Sequence, residues 1–265
     1  MADPRRVVLI GKSGSGKSSL ANTILGGQPF KVNHSSESKS KFSEAQTRPV
    51  NGLTLTLIDT PGIFNADRTE DEVAGEVYSC FTQSAPGPHA FLFVLLVEKF
   101  TEQEQAIADQ IRLHFGEDVF RYTTVVFTHG DQLQEGMEIM EFVDQSTGLK
   151  DLIQECGGRC HVIDNKYWKS GQDPYRSNSV QVGKIINSIQ ITVEENNGGF
   201  FTNEMLKHVE LDIKFEQDRI VKSQALSSEE SREQAKAKVL QKYITKKNYG
   251  VTQKNSCLLD FPLSL

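Results

Sequence analysis

The sequence predicts an α/β fold in which a mainly parallel sheet is flanked by helices on both faces and is followed by a C-terminal helical extension. Apolar, strand-like runs alternate with helical segments from residue 5 to about Asn197, which is typical of strand-helix-strand units. The strands are apolar at nearly every position, as expected where both faces of a sheet are buried. After "ENNGGF" at residues 195–200 the composition shifts to Glu, Lys, Gln, Ser and Ala, which predicts a segment of a different kind.

The individual elements follow from these patterns in chain order. Strands are predicted over residues 5–10, 53–58, 90–97, 123–128 and 159–163, and helices over residues 17–25, 70–84, 101–115, 137–144, 149–155 and 180–194. Two polar segments, 31–49 and 167–179, fit neither pattern and are predicted to be mobile loops.

The extension begins near residue 203 and places Leu206, Val209, Ile213 and Ile220 at helical spacing. This stripe is short, so the extension is either a helix that lies against the preceding domain and is otherwise solvated, or a true coiled coil. We therefore predict a domain over residues 1–207, with a charged helical extension and flexible tail over 208–265.

Bulk properties exclude several classes of function. The net charge of −6 provides no general basic field for nucleic acid, and four unevenly spread cysteines suit a reducing compartment, so the cytosol is the expected location. No apolar run approaches the roughly 20 residues of a transmembrane anchor. The extension carries Lys236, Lys238, Lys242, Lys246 and Lys247, which fit a solvated helix end, or else contact with an acidic surface or peripheral contact with a membrane.

The segment "GKSGSGKSS" directly follows the first predicted strand and satisfies the phosphate-loop pattern with Gly11, Gly16, Lys17 and Ser18. Small residues let successive backbone N–H groups surround a phosphate, and the following helix directs its positive end at the same anion. The fold is therefore predicted to be that of a P-loop NTPase. The residues predicted to contact the phosphates or their counter-ion are Gly11, Ser13, Gly14, Ser15, Gly16, Lys17, Ser18 and Ser19.

The segment "LTLIDTPG" supplies a second part of such a site. Asp59 ends a predicted strand and, together with the Ser18 hydroxyl, is a candidate to hold Mg²⁺. Gly62 has no side chain to obstruct a γ-phosphate, so its N–H group is a candidate donor to that phosphate.

The segment "VFTHGD" covers the end of the fourth predicted strand and carries a candidate base-recognition motif. The Asp131 carboxylate can accept hydrogen bonds from guanine N1 and N2, which adenine does not present. His129 lies two residues before Asp131, and its imidazole can pack on the purine or bond to the loop.

These motifs resemble those of the GTPases of immunity-associated proteins, the GIMAP or AIG-type group within the septin-like and chloroplast-import-like P-loop GTPases. The resemblance spans about residues 5–207 and rests on "GKSGSGKSSLANTILG", "LIDTPG", "SAPGPH", "THGD", "CGGR" and "NGGFFTNEML", in the family's order. It implies a G domain that binds GTP or GDP with Mg²⁺. It also implies that Asn165, in "HVIDNK", contacts the base.

The chain departs from the family pattern at three places. The switch threonine that meets Mg²⁺ and the γ-phosphate aligns with Ser40, with Ser38 as the alternative. Ile63-Phe64 follow "DTPG", so the glutamine that orients water in Ras-like GTPases is missing. The family's arginine, which is thought to act across a dimer, aligns with Lys99, and lysine lacks the planar guanidinium fork.

Two functions fit these features. One is a guanine-nucleotide switch that forms dimers or oligomers through its nucleotide face and hydrolyses GTP slowly, with Lys17, Ser40 and Lys99 in catalytic roles. The other is a nucleotide-stabilised scaffold that binds GTP or GDP, hydrolyses it negligibly and acts through assembly.

Overall fold

The computed structural model describes residues 3–32, 42–62, 69–168 and 173–250, where six strands form one sheet in the order β2-β3-β1-β4-β5-β6. The strands are β1 (Arg5–Ile10), β2 (Glu44–Val50), β3 (Leu53–Asp59), β4 (Ala90–Leu96), β5 (Thr123–Thr128) and β6 (Cys160–Val162). The helices are α1 (Lys17–Leu25), α2 (Glu70–Ser84), α3 (Glu102–Phe115), α4 (Ile139–Val143), α5 (Thr147–Glu155), α6 (Asn178–Glu195), α7 (Glu204–Ser223) and α8 (Ser228–Gly250).

Five of the six strands run parallel, which confirms the predicted α/β fold. In the central register Leu9 of β1 pairs with Asp59 of β3 and with Leu92 of β4. The carboxyl ends of β1, β3, β4, β5 and β6 therefore meet at one edge of the sheet, which is where open α/β folds bind their ligands. The candidate motifs follow these ends.

Apolar side chains bury both faces of the sheet. On one face Leu20 and Ile24 of α1 and Ile185 of α6 join a core cluster with β1, β3 and β4. An aromatic cluster contains Phe91 and Phe115, whose ring centroids lie 5.3 Å apart in an edge-to-face contact. This close packing fixes the strand ends that carry the site.

Strand β2 lies within the segment predicted to be a loop, and that part of the prediction is wrong. β2 pairs antiparallel with β3, and Thr47 and Thr56 join their hydroxyls at 2.8 Å across the pair. Its sequence "EAQTRPV" is polar because β2 is an edge strand whose residues are exposed or half-buried. The strand is stabilised by pairing with β3, and no apolar pattern marks it.

The C-terminal helices confirm the predicted helical extension, although a break between α7 and α8 divides it. Contacts separate the chain into two compact units that meet between His208 and Val209, a boundary that falls within α7. In the second unit Arg232 of α8 pairs with Glu210 of α7 at 2.7 Å, and Lys242 pairs with Asp212 at 3.2 Å. Within the described ranges, no helix is both long and apolar enough to cross a bilayer.

Candidate functional site

The phosphate loop links β1 to α1 at the carboxyl edge of the sheet. The loop turns with positive φ at Gly14 (81°) and at Gly16 (87°), and Gly16 is the N-cap residue of α1. Among the described residues, no side chain caps this helix end. The first N–H groups of α1 and their positive dipole therefore point to the place where the motif predicts phosphate.

Lys17 is almost completely buried in the first turn of α1. Its Nζ donates to the carbonyl oxygens of Gly11 at 3.1 Å and Lys12 at 2.9 Å. Burial lowers the pKa of Lys17 to about 8, although the charges of Asp59 and Glu76 act in the opposite direction. An anion bound in the loop would stabilise the charged form of Lys17 and raise its pKa.

Ser18 and Asp59 meet beside Lys17, as the predicted metal site requires. The Ser18 hydroxyl donates to Asp59 Oδ2 at 2.5 Å, while Asp59 Oδ1 is buried and has no hydrogen-bond partner among the described residues. Burial raises the pKa of Asp59, although Ser18 and Lys17 lower it. A buried carboxylate oxygen with an unused acceptor position beside a hydroxyl fits Mg²⁺, which prefers oxygen ligands and retains water in its shell.

Gly62 lies directly against the phosphate loop. A Cβ atom at this position would stand 2.4 Å from the Ser13 backbone nitrogen, a separation that van der Waals repulsion forbids. Only glycine allows this approach, so the predicted γ-phosphate donor and the phosphate loop are in contact. Ser40, Ser38 and Ile63-Phe64 lie outside the described residues.

Asp131 and His129 lie at the end of β5. His129 adopts a left-handed conformation with φ 61°, and a short 3₁₀ turn over Gly130–Gln132 follows. Both side chains are exposed. Asp131 Oδ2 accepts from Gln132 Nε2 at 2.7 Å, and His129 Nδ1 lies 3.2 Å from the Thr128 hydroxyl. The Asp131 carboxylate is thus accessible to a base.

Asn165 follows β6 and contacts the first helix. Its Oδ1 accepts from the Thr23 hydroxyl of α1 at 3.0 Å. The buried Thr128 hydroxyl donates to the carbonyl oxygen of Ser15 at 2.8 Å, which joins the end of β5 to the phosphate loop. The loops predicted to bind base and phosphate therefore form one continuous site.

Asp164 organises this site and was missed by the sequence reasoning. Its buried carboxylate accepts from the backbone N–H groups of Asp131 (3.2 Å), Lys166 (2.8 Å) and Tyr167 (2.5 Å). Although burial opposes the charged form, these bonds hold the pKa of Asp164 below its usual range. Asn178 donates to the carbonyl oxygen of Asp164 at 2.5 Å. Asp164 thus ties the Asp131 loop to the Asn165 loop.

Trp168 packs against the loop that carries Asp131. It is 6% exposed, and its ring occupies the space beside Gly130, where a Cβ atom would lie 2.5 Å from it. Tyr175 contacts the same ring edge-on at 6.5 Å between centroids. Trp168 therefore supports the turn that presents Asp131.

Lys99 lies after β4, in the turn that leads to α3. It is exposed, and among the described residues it forms no hydrogen bond or ion pair. Glu98 and Glu104, on either side of it, both pair with Lys12 of the phosphate loop.

Comparison with known proteins gives concordant results. A family model described as AIG1 family matches residues 5–223. Immune-associated nucleotide-binding proteins 13 and 9 of Arabidopsis thaliana are each 30% identical to the chain, over 241 and 215 residues, or 88% and 79% of this chain. GTPase IMAP family member 8 of Homo sapiens is 28% identical over 198 residues, or 75% of this chain. These matches cover 69%, 61% and 29% of the relatives' own lengths.

Solved structures share the fold. Toc33 from Arabidopsis thaliana in complex with GDP and Mg²⁺ aligns over 73% of this chain and 86% of its own, with a TM-score of 0.57 and 18% identity. A structure from work on dimerization and GTPase activity of the chloroplast translocon components atToc33 and psToc159 aligns over 71% and 82%, with a TM-score of 0.56 and 18% identity. At this identity the similarity shows the fold alone.

Proposed function

Because this chain belongs to the AIG1 family, we propose that it is a guanine-nucleotide-binding protein that self-associates through its nucleotide face when GTP is bound and hydrolyses GTP slowly. The family resemblance expected from the motifs is confirmed by the match over residues 5–223. The cytosolic location stays a prediction.

The observation that carries the proposal is the meeting of Lys17, Ser18 and Asp59 at the start of α1. A buried ammonium group, a hydroxyl and a carboxylate with a free acceptor position lie beside N–H groups that no side chain in the described ranges caps. This set matches the needs of a phosphate chain and its divalent cation. Ser18 and Asp59 would hold Mg²⁺, which supplies charge neutralisation at the phosphates.

Base selectivity is assigned to Asp131. Its exposed carboxylate ends the strand beside the phosphate loop, and Asn165, His129 and the buried Trp168 belong to the surrounding loops. Pairing with guanine N1 and N2 would satisfy donors that would otherwise be desolvated without a partner. The fixed position of Asp131, through Asp164, supports this assignment.

Hydrolysis is assigned to few groups, and this is the reason that we expect it to be slow. Lys17 and the loop N–H groups would stabilise charge on the transferring phosphoryl group, with Ser40 closing over it. No general base is assigned. Lys99 of a second copy would add positive charge across the interface, without the bidentate geometry of an arginine.

Calorimetric titration tests the nucleotide assignment. We expect GDP and GTP to bind at micromolar levels or tighter and ATP to bind far more weakly, because only guanine presents the donors that Asp131 accepts. Equal affinity for ATP and GTP would refute the proposal. The variant Asp131→Asn should shift preference toward xanthine nucleotides, because the amide matches xanthine's carbonyl group, whereas retained guanine selectivity would reject the base assignment.

Single-turnover hydrolysis at increasing protein concentration tests the self-association. A rate that rises with concentration supports a residue acting across an interface. A flat and negligible rate, with nucleotide still bound, supports instead the nucleotide-stabilised scaffold. The presence of lysine at position 99, where the family has arginine, also favours the scaffold.

A further inference from the structure

Lys12, the second residue of the phosphate loop, forms two ion pairs outside the roles that the motif assigns. Its Nζ lies 2.5 Å from Glu98 Oε1 and 2.8 Å from Glu104 Oε1. Glu98 follows β4, and Glu104 lies in the first turn of α3. These contacts join the phosphate loop to the β4–α3 turn (residues 97–101) across 86 and 92 positions of sequence. Lys99 lies within that turn.

Glu104 also holds the start of α3. Its Oε2 accepts from the Thr101 backbone N–H at 3.0 Å and from the Thr101 hydroxyl, which completes a capping box at the N-terminus of the helix. The Glu104 carboxylate therefore bonds to Thr101, at the end of the β4–α3 turn, through one oxygen and to Lys12 through the other. The position of the turn and the position of the lysine are linked through a single rigid group.

The Glu104 pair is the stronger of the two. Glu98 is 46% exposed in its side chain, so solvent screens its charge, whereas the Glu104 side chain is only 7% exposed. Although burial opposes the charged form, hydrogen bonds from Lys12 and Thr101 hold the pKa of Glu104 below its usual range. Removing Lys12 would leave a buried carboxylate without its cation, which is costly.

We propose that Lys12 is a positioning residue that fixes the β4–α3 turn, and with it Lys99, relative to the phosphate loop. The attachment of the turn follows from the ion pairs alone. Its consequence for hydrolysis rests on the proposed function, because it requires that Lys99 acts on a partner's nucleotide. In that case Lys12 sets the distance between a chain's own phosphates and the charge that it offers to its partner.

Hydrogen–deuterium exchange of the whole chain without nucleotide tests the attachment. In Lys12→Met, peptides that cover residues 97–105 should exchange about tenfold faster than in the wild type, because the turn opens more often. Lys12→Arg, which keeps the charge, should restore slow exchange. Lys150→Met is the matched control, since Lys150 pairs with Asp144 on an exposed surface at 3.2 Å. Unchanged exchange over residues 97–105 in Lys12→Met would overturn the proposal.

A comparison in a Glu104→Gln variant distinguishes loss of this ion pair from a general loss of folding. Glu104→Gln keeps an oxygen for Thr101 but removes the charge that Lys12 meets. Adding Lys12→Met to this background should change exchange by less than about twofold, because the buried pair with Glu104 is already lost and only the solvent-screened pair with Glu98 remains to be removed. The same tenfold acceleration in both backgrounds would show that Lys12 acts elsewhere and would overturn the proposal.

Single-turnover GTP hydrolysis tests the consequence for Lys99. Lys12→Met should lower the concentration-dependent part of the rate about tenfold and Lys12→Arg should keep it, as a charge-dependent positioning role requires. A concentration-dependent rate that is equal in Lys12→Met and the wild type would overturn the link to Lys99. If the wild type itself shows no concentration dependence, the proposed function fails, and the exchange experiment still decides whether Lys12 holds the turn.

Discussion

Nucleotide binding by this chain should take up a proton at Lys17. The buried ammonium has a pKa of about 8, because desolvation disfavours its charge. A bound phosphate favours the charged form and should return the pKa toward or above the usual value of 10.5. Between these two values the complex holds a proton that the free protein has lost, so affinity must fall as pH rises.

The size of this effect follows from the pKa of Lys17. At pH 8 about half of the free protein carries an uncharged Lys17, so binding should take up about 0.5 proton per nucleotide, against about 0.1 at pH 7 and about 0.9 at pH 9. The dissociation constant should therefore rise about tenfold from pH 7 to pH 9. The phosphates are fully ionised above pH 8 and add nothing to this uptake.

Calorimetry of GDP binding in buffers of different ionisation enthalpy measures the proton uptake directly. Lys17→Arg is the matched variant, because arginine stays charged at every pH in this range and should show no uptake at pH 8. Should that variant not bind, the wild type at pH 7 serves as the comparison. A binding enthalpy independent of buffer at pH 8, with a flat affinity from pH 7 to pH 9, would refute the argument.

Three further predictions concern the loops. Gly130→Ala should destabilise the fold by about 1–3 kcal/mol in urea unfolding, because its Cβ would lie 2.5 Å from Trp168. Gly183→Ala, within α6 and open around its Cβ position, should instead stabilise it by about 0.5–1 kcal/mol, and equal effects of the two changes would contradict the packing of Trp168. Asp164→Asn should weaken GDP binding about tenfold, because the carboxylate that holds the Asp131 N–H loses its charge, and a wild-type affinity by calorimetry would reject that role. Lys99→Arg should accelerate concentration-dependent hydrolysis by at least about tenfold, and a rate equal to the wild type would count against action across an interface.

The parts of the molecule that carry a local pattern could be predicted from sequence. α1 and β5 have the predicted bounds. The glycine of the phosphate loop marks the start of α1, and an apolar run marks β5. β2 could not be predicted, because the polar segment "EAQTRPV" becomes a strand only when β3 offers its edge. The break between α7 and α8 was likewise missed, although Ser227 and Glu230 carry the S-x-x-E pattern of a capping box at the start of α8.

The same distinction applies to the site. Lys17, Ser18 and Asp59 belong to motifs whose spacing reflects their chemistry, and the fold brings them together. Asp164 and Lys12 were missed as organising residues because their partners lie far away in sequence: Asp164 bonds to Asp131 across 33 positions and Lys12 to Glu104 across 92. The signal for Asp164 was an acidic residue directly before Asn165 at a strand end.

The two edge strands of the sheet are poorly suited to pairing with a strand from another molecule. β2 presents exposed Glu44, Arg48 and Pro49 on the outermost strand, and proline has no N–H group with which to continue a ladder. At the opposite margin β6 is only three residues long. Charged, proline-bearing and short margins resist the addition of foreign strands. Edge-to-edge association of two such sheets is therefore disfavoured.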